Sequence, residues 1–157
     1  TGPLSIRDLV AWFMGVGEGR VASAFRLAHL RSKSDPHHWH VDPDTGLKDS
    51  LIVEHLKEGM ATATGMKRAY DSSSQRIACL ASLLTNWMGD DGFLRALNAK
   101  VARPRFTGDV AWYKGTVKRK RIVGDEHLVE IECWVENQRQ EVITPGSAIV
   151  VLPSRGA

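Results

Sequence analysis

The chain has 157 residues, 43% of them hydrophobic and 25% charged, with a formal net charge of +3. That is the composition of an ordinary globular protein, long enough to bury a core without metal or disulfide help, so a single domain over 1–157 is expected, with a helical extension or insertion over about 1–48. No run of ~18 apolar residues is present, which argues against a membrane span or membrane partner, and the mild charge, with few aromatics among the basic residues, argues against a nucleic-acid partner.

Thr1-Gly2-Pro3 opens without a basic or apolar leader pattern, so no signal peptide is expected. Cys79 and Cys133 are the two cysteines, both at positions that read as core-facing, so two buried free thiols in a reducing cytoplasm are expected. Ser5-Ile6-Arg7-Asp8 starts a helix through Leu9, Val10, Trp12 and Phe13 that Gly15 ends. Gly15 to Gly19 is glycine-rich, but no strand precedes it, so no dinucleotide fingerprint is read there. A second helix is expected over Val21 to Leu30.

Arg31 to Asp49 reads as a polar connection with turn signals at Asp35-Pro36, Asp42-Pro43 and Thr45-Gly46. His37, His38 and His40 cluster there beside Asp35, Asp42 and Asp44, but no cysteine joins them and no H-E-x-x-H spacing occurs, so no metal site is expected. A short helix over Glu54 to Thr64 follows, stopped by Gly65. The turn Tyr70 to Ser74, with Ser72 and Gln75 spaced as a capping box, opens the main helix. Ile77, Leu80, Leu84 and Trp87 form its apolar stripe, widened by Ala81 and Met88, and Gly89 is placed to end it.

From Phe93 the apolar period becomes two. Leu97, Ala99 and Val101 alternate with polar residues, and Val110 to Lys120 reads as a long strand after the corner Phe106 to Asp109. Val129, Ile131, Cys133 and Val135 alternate with Glu130, Glu132, Trp134 and Glu136, the pattern of a half-buried antiparallel strand. A hairpin end falls at Arg139-Gln140, and Val142 to Leu152 forms the last strand, with a bulge expected at Thr144-Pro145-Gly146 because proline cannot donate to a ladder. One apolar helix followed by long antiparallel strands buries its stripe by lying across the sheet. The expectation is an α+β hot-dog fold, an antiparallel sheet wrapped around a central apolar helix, with an edge that pairs with a second copy.

The residues that carry chemistry are fewer. Histidine moves protons near neutral pH, and His55 is the histidine placed on an ordered element before the main helix. The amino end of that helix, at Ser73 and Ser74, offers backbone N–H groups to a developing negative charge. Lys118 to Arg121, with Arg103 and Arg105, is either a solvated strand end or a contact for the phosphates of a nucleotide-bearing substrate.

At this point the chain resembles the MaoC-like dehydratases, a family that includes the (R)-specific enoyl-CoA hydratases, over about Asp49 to Pro153. The family carries D-x-N-P-x-H, then five residues, then Ala or Ser; His55 with Ala61 matches its second half. Phe106-Thr107-Gly108-Asp109 is similar to the family's corner before a long strand, and Asn137-Gln138 and Gly146 to Pro153 are similar to its closing strands. The resemblance implies reversible hydration of 2-enoyl thioesters, with an aspartate and a histidine holding the water and helix-start N–H groups stabilising the enolate-like oxygen. It implies coenzyme A as part of the substrate and no separate cofactor, with a place in lipid metabolism.

The departures are specific. Ser50 stands where the family has its aspartate, Asp49 is one residue early, and Glu54 directly precedes His55. Ile52-Val53 replaces the N-P pair, Lys57 replaces an aspartate, and Ser73 replaces the turn glycine. Three readings follow. In the first, His55 is the general acid/base and Asp49 or Glu54 orients the water. Ile77, Leu80, Ala81, Ser82 and Leu84 then line the acyl pocket, and Arg103, Arg105, Lys118 and Arg119 are candidates for the CoA phosphates. In the second, the dyad is broken and the chain is the non-catalytic hot-dog subunit of a heteromeric dehydratase. In the third, it is a hot-dog acyl-CoA thioesterase with Glu54 or Asp71 as base or nucleophile. A homodimer or a heterodimer with a second hot-dog subunit is expected.

Overall fold

The computed structural model describes residues 2–15, 39–41, 45–46 and 48–154. The expected helix over Val21 to Leu30, and His37 and His38, lie outside the described residues. The chain divides into two compact units, one of 1–2, 73–105 and 109–157, the other of 3–72 and 106–108.

In the smaller unit, helix α1 (Ile6–Gly15) starts where the sequence places it. Ser5 and Asp8 cap each other: the Ser5 N–H and hydroxyl both donate to Asp8 Oδ2 (2.9 and 2.7 Å), and Asp8 N–H donates to Ser5 Oγ (3.2 Å). The helix turns Leu9 and Phe13 inward, where they pack with Leu4, Trp12 and Leu56. The polar connection contains an element the sequence pattern did not suggest, a hairpin of β1 (Trp39–Val41) and β2 (Lys48–Ser50) with His40 opposite Asp49. The single helix expected over Glu54 to Thr64 is two pieces, a 3-10 turn at Leu51–His55 and helix α2 at Glu58–Ala63. Lys57 separates them because it is extended (φ −119°, ψ 126°), while Leu56 is drawn into the α1 cluster. The corner at Phe106 to Gly108 belongs to this unit: Thr107 N–H donates to Ala69 O (2.9 Å) and Gly108 N–H to Leu4 O (2.8 Å).

In the larger unit, helix α3 (Ser73–Met88) ends at Gly89, whose φ of +75° is the left-handed value expected of the residue after a helix. Four antiparallel strands follow: β3 (Phe93–Ala99), β4 (Ala111–Val123), β5 (Glu126–Asn137) and β6 (Val142–Leu152), in the order β3-β6-β5-β4. Leu80 and Leu84 of α3 are buried against Ala111, Val129, Ile131, Cys133, Val135, Ile143, Ala148 and Val150 of the sheet. Helix stripe against alternating strand face is the α+β hot-dog arrangement.

Three details differ from the sequence pattern. The bulge sits one residue before the expected triplet. Val135 pairs with Thr144 and Glu136 with Val142, so Ile143 is the extra residue. Pro145 pairs in register with Trp134, just past the end of β3, where Lys100 N–H donates to its carbonyl (3.0 Å). Cys133 is buried but Cys79 is exposed, because the buried face of α3 runs through positions 76, 80 and 84 and Cys79 flanks it. For the same reason Trp87 is 50% exposed and is not a stripe residue. Arg76 takes the deep place instead: it is 1% exposed, and its Nη1 donates to Arg103 O (2.6 Å), Thr144 Oγ1 (3.1 Å) and the bulge carbonyl of Ile143 (3.4 Å). Among the described residues no helix is long and apolar enough to cross a membrane.

Candidate active site

His55 ends the 3-10 turn and is half-buried. Its Nδ1 is 2.9 Å from the carbonyl oxygen of Tyr70. A carbonyl can only accept, so Nδ1 carries the proton, and the neutral ring presents its lone pair at Nε2. Two aromatic rings hold the imidazole: Tyr70 at 4.3 Å between centroids and Phe13 at 5.4 Å, both tilted. A ring fixed in one tautomer and one orientation is what a general base requires.

Tyr70 also reaches Glu54. Its hydroxyl donates to Glu54 Oε1 at 2.5 Å. Burial, then the hydrogen bond to Glu54 and the charge of that carboxylate, push the Tyr70 phenol well above its ordinary pKa, so it remains a donor. Tyr70 thus holds the carboxylate with its side chain and the imidazole with its backbone. From the sequence Tyr70 reads only as a turn residue. An aromatic hydroxyl between a Glu-His pair and a helix opening was the available signal.

The other expected site residues are distributed as follows. Asp49 lies on β2 opposite His40, and its side chain lies outside the described residues. Asp71 is buried (3% exposed). Ser73 and Ser74 are exposed and open α3, in the larger unit. Leu80 and Leu84 are core, Ile77 and Ala81 are half-buried, and Ser82 is exposed and donates back to Ala78 O (3.0 Å). A separate cavity lies between α3 and the sheet, lined by Leu83, Leu84, Trp87, Gly115, Val117 and Ile131. Leu84 is the residue it shares with the expected acyl pocket.

The basic candidates have structural partners. Arg103 pairs with Glu141 (3.2 Å) and Lys118 with Glu132 (2.9 Å). Arg119 is exposed and faces Glu130 across the ladder, while Arg121 pairs with Glu130 (2.8 Å). Arg105 is 8% exposed, and its guanidinium donates to Asp109 O (3.3 Å) and Gly2 O (3.4 Å). No metal-binding group of histidine, cysteine and carboxylates occurs among the described residues.

No protein-family model matches the sequence, and no curated protein matches it. Solved structures do. The MaoC-like dehydratase from Rhodospirillum rubrum superposes with a TM-score of 0.59 at 22% identity, covering 66% of this chain and 75% of that one. The R-hydratase PhaJ1 from Pseudomonas aeruginosa gives 0.59 at 17% identity, covering 83% and 74%. The ChsH1–ChsH2 complex from Mycobacterium tuberculosis gives 0.57 at 13% identity, covering 83% and 87%. At these identities the likeness is one of fold. The chain has the hot-dog fold of MaoC-like dehydratases and (R)-hydratases, as the resemblance in its sequence implies.

Proposed function

We propose that this chain is a hot-dog hydratase/dehydratase acting on 2-enoyl and 3-hydroxyacyl thioesters of coenzyme A, with His55 as its general acid/base. The observation that carries the reading is the 2.9 Å contact of His55 Nδ1 with the Tyr70 carbonyl, which leaves Nε2 as the basic atom. In the hydration direction Nε2 takes a proton from water as the water oxygen bonds to C3 of the enoyl group. The electrons of the C2–C3 double bond move towards the thioester oxygen, and as the carbonyl re-forms C2 takes the proton back from His55 Nε2–H, which restores the free base. Glu54, held through Oε1 by Tyr70, orients the water with its remaining oxygen; Asp49 is the alternative carboxylate. The resemblance assigns stabilisation of the enolate-like oxygen to helix-start N–H groups, which in this sequence are those at Ser73 and Ser74. Arg103, Lys118 and Arg119 are the basic residues left to meet the CoA phosphates, and reaching them requires exchange of surface ion pairs worth little in water.

The test is hydration of 2-butenoyl-CoA by the purified chain. His55→Ala is expected to lower kcat/KM about a hundredfold or more; unchanged turnover in that variant ends the proposal.

Two observations favour a second reading. Ser50 occupies the family aspartate's place, and Glu54 is already engaged by Tyr70. The chain would then be the non-catalytic member of a heteromer, a form consistent with the ChsH1–ChsH2 neighbour being a complex. That reading predicts no turnover alone and turnover on mixing with a hot-dog partner bearing an intact D-x-N-P-x-H. Two free cysteines fit a cytoplasmic setting in either reading.

A further inference from the structure

Strand β4 is an outer strand of the sheet, paired with β5, and among the described residues no strand pairs with its other edge. Every residue from Gly115 to Val123 is exposed. A bulge interrupts this stretch: Val117 pairs with Ile131 and Arg119 with Glu130, so Lys118 is the extra residue. A bulge re-aims the side chains around it. Here it sets Arg119 and Arg121 on one face, opposite Glu130 and Leu128, and Lys120 and Ile122 on the other, opposite Val129 and His127. β5 supplies carboxylates to part of the basic run, Glu132 to Lys118 (2.9 Å) and Glu130 to Arg121 (2.8 Å). Arg119 and Lys120 are left without an ion pair among the described residues. Ile122 and Val123 stand beyond the run, 66% and 49% exposed.

We propose that the free edge of β4 docks an extended, acidic segment of a partner protein, which joins the sheet as an additional strand. Backbone pairing gives such a strand its affinity, and its side chains give it specificity. Charge selects the occupant. A second copy of β4 laid antiparallel about a two-fold axis would set Lys118, Arg119, Lys120 and Arg121 against the same run, and like charges directly opposite destabilise a ladder. Charged side chains and bulges keep an edge from pairing indiscriminately, so this edge turns away copies of itself. β5 shows the chemistry that β4 accepts on its paired side. Glu136 meets Lys114 (2.7 Å), Glu132 meets Lys118 and Glu130 meets Arg121. A strand with consecutive carboxylates on the open edge reaches Arg119 on one face and Lys120 on the other. Branched apolar residues next to those carboxylates cover Ile122 and Val123. This docking does not depend on the chain being a hydratase.

The test is fluorescence anisotropy of the fluorescein-labelled peptide V-I-E-E-E-E-V-T, complementary to Thr116 to Val123 in antiparallel register, titrated with the full chain. Binding should be saturable, and amide exchange should slow at Thr116 to Val123 while Phe93 to Ala99 stays unchanged. Arg119→Glu combined with Lys120→Glu should weaken binding about tenfold or more. Either substitution alone should give part of that loss if the double variant fails to fold, with thermal melts reporting folding. The peptide N-methylated throughout donates no ladder hydrogen bond and should bind about tenfold more weakly or worse. No saturable binding by the wild type, equal affinity in a folded charge-reversed variant, or equal affinity of the N-methylated peptide overturns the proposal. A single-stranded oligonucleotide that binds more tightly than the peptide shows a surface for polyanions at large and overturns it. Displacement of the peptide by coenzyme A assigns Arg119 to phosphates and overturns it as well.

Discussion

At Glu54 the carboxylate has a donor before any substrate arrives, and that donor is one residue's hydroxyl. Tyr70→Phe removes it and leaves untouched the backbone carbonyl that holds His55. In the hydratase reading this variant should lower kcat several-fold with little change in KM, while nitrogen NMR shows the His55 tautomer unchanged. A drop in kcat with a changed tautomer would mean the whole turn had shifted. Losing a hydrogen bond to a charged group should cost roughly 1.5–3 kcal/mol in urea unfolding. The raised phenol pKa has its own signature. The folded protein keeps that proton where the unfolded chain, near 10, gives it up, so the stability it contributes is full below pH 10 and is lost as pH rises above it. Wild-type stability should therefore fall more steeply above pH 10 than that of Tyr70→Phe; parallel curves would count against a shielded phenol.

The elements meet where β6 leaves its register. The bulge at Ile143 turns a carbonyl to Arg76 Nη1 (3.4 Å) and to the N–H groups of Ala102 and Arg103 (3.0 and 3.2 Å). Helix α3 is thus anchored to the sheet by a buried guanidinium as well as by Leu80 and Leu84. Arg76→Ala removes donors from buried acceptors and should cost about 3 kcal/mol, read as a lower urea midpoint. Gly146 has a different task. A Cβ there would lie 2.7 Å from the backbone oxygen of Asn98 in β3, an atom that cannot swing aside. Gly146→Ala should cost about 1–3 kcal/mol and loosen the β3–β6 pairing, whereas Gly115→Ala, whose Cβ would meet Ile131 Cγ2 at 3.4 Å, should be nearly neutral. Equal stability of both alanine variants would contradict this assignment of space.

At the scale of the whole molecule, β3 and β4 are the outer strands of the four-stranded sheet, and exposed strand edges invite pairing with another chain. Sedimentation of the pure chain as a dimer is the outcome expected of a self-sufficient hydratase; a monomer that forms a one-to-one complex with a second hot-dog chain favours the heteromeric reading. Much of this fold is written locally. The Ser5–Asp8 cap, the Leu80–Leu84 stripe, Gly89 and the alternation of β5 each depend on neighbours a few residues apart, so a sequence by itself determines them, and with them the helix-on-sheet layout. Of the candidate site, the sequence singles out His55 but not the groups packed around it. Tyr70 reaches back sixteen residues to Glu54, and Arg76 reaches forward sixty-eight to Thr144. The outward turn of Cys79, the place of the bulge and the empty space at Gly115 likewise depend on what packs opposite. Periodicity tells which face of an element is buried, but only the tertiary structure decides which distant atom completes a buried hydrogen bond or leaves a cavity unfilled, because those contacts join residues whose separation along the chain carries no repeating pattern.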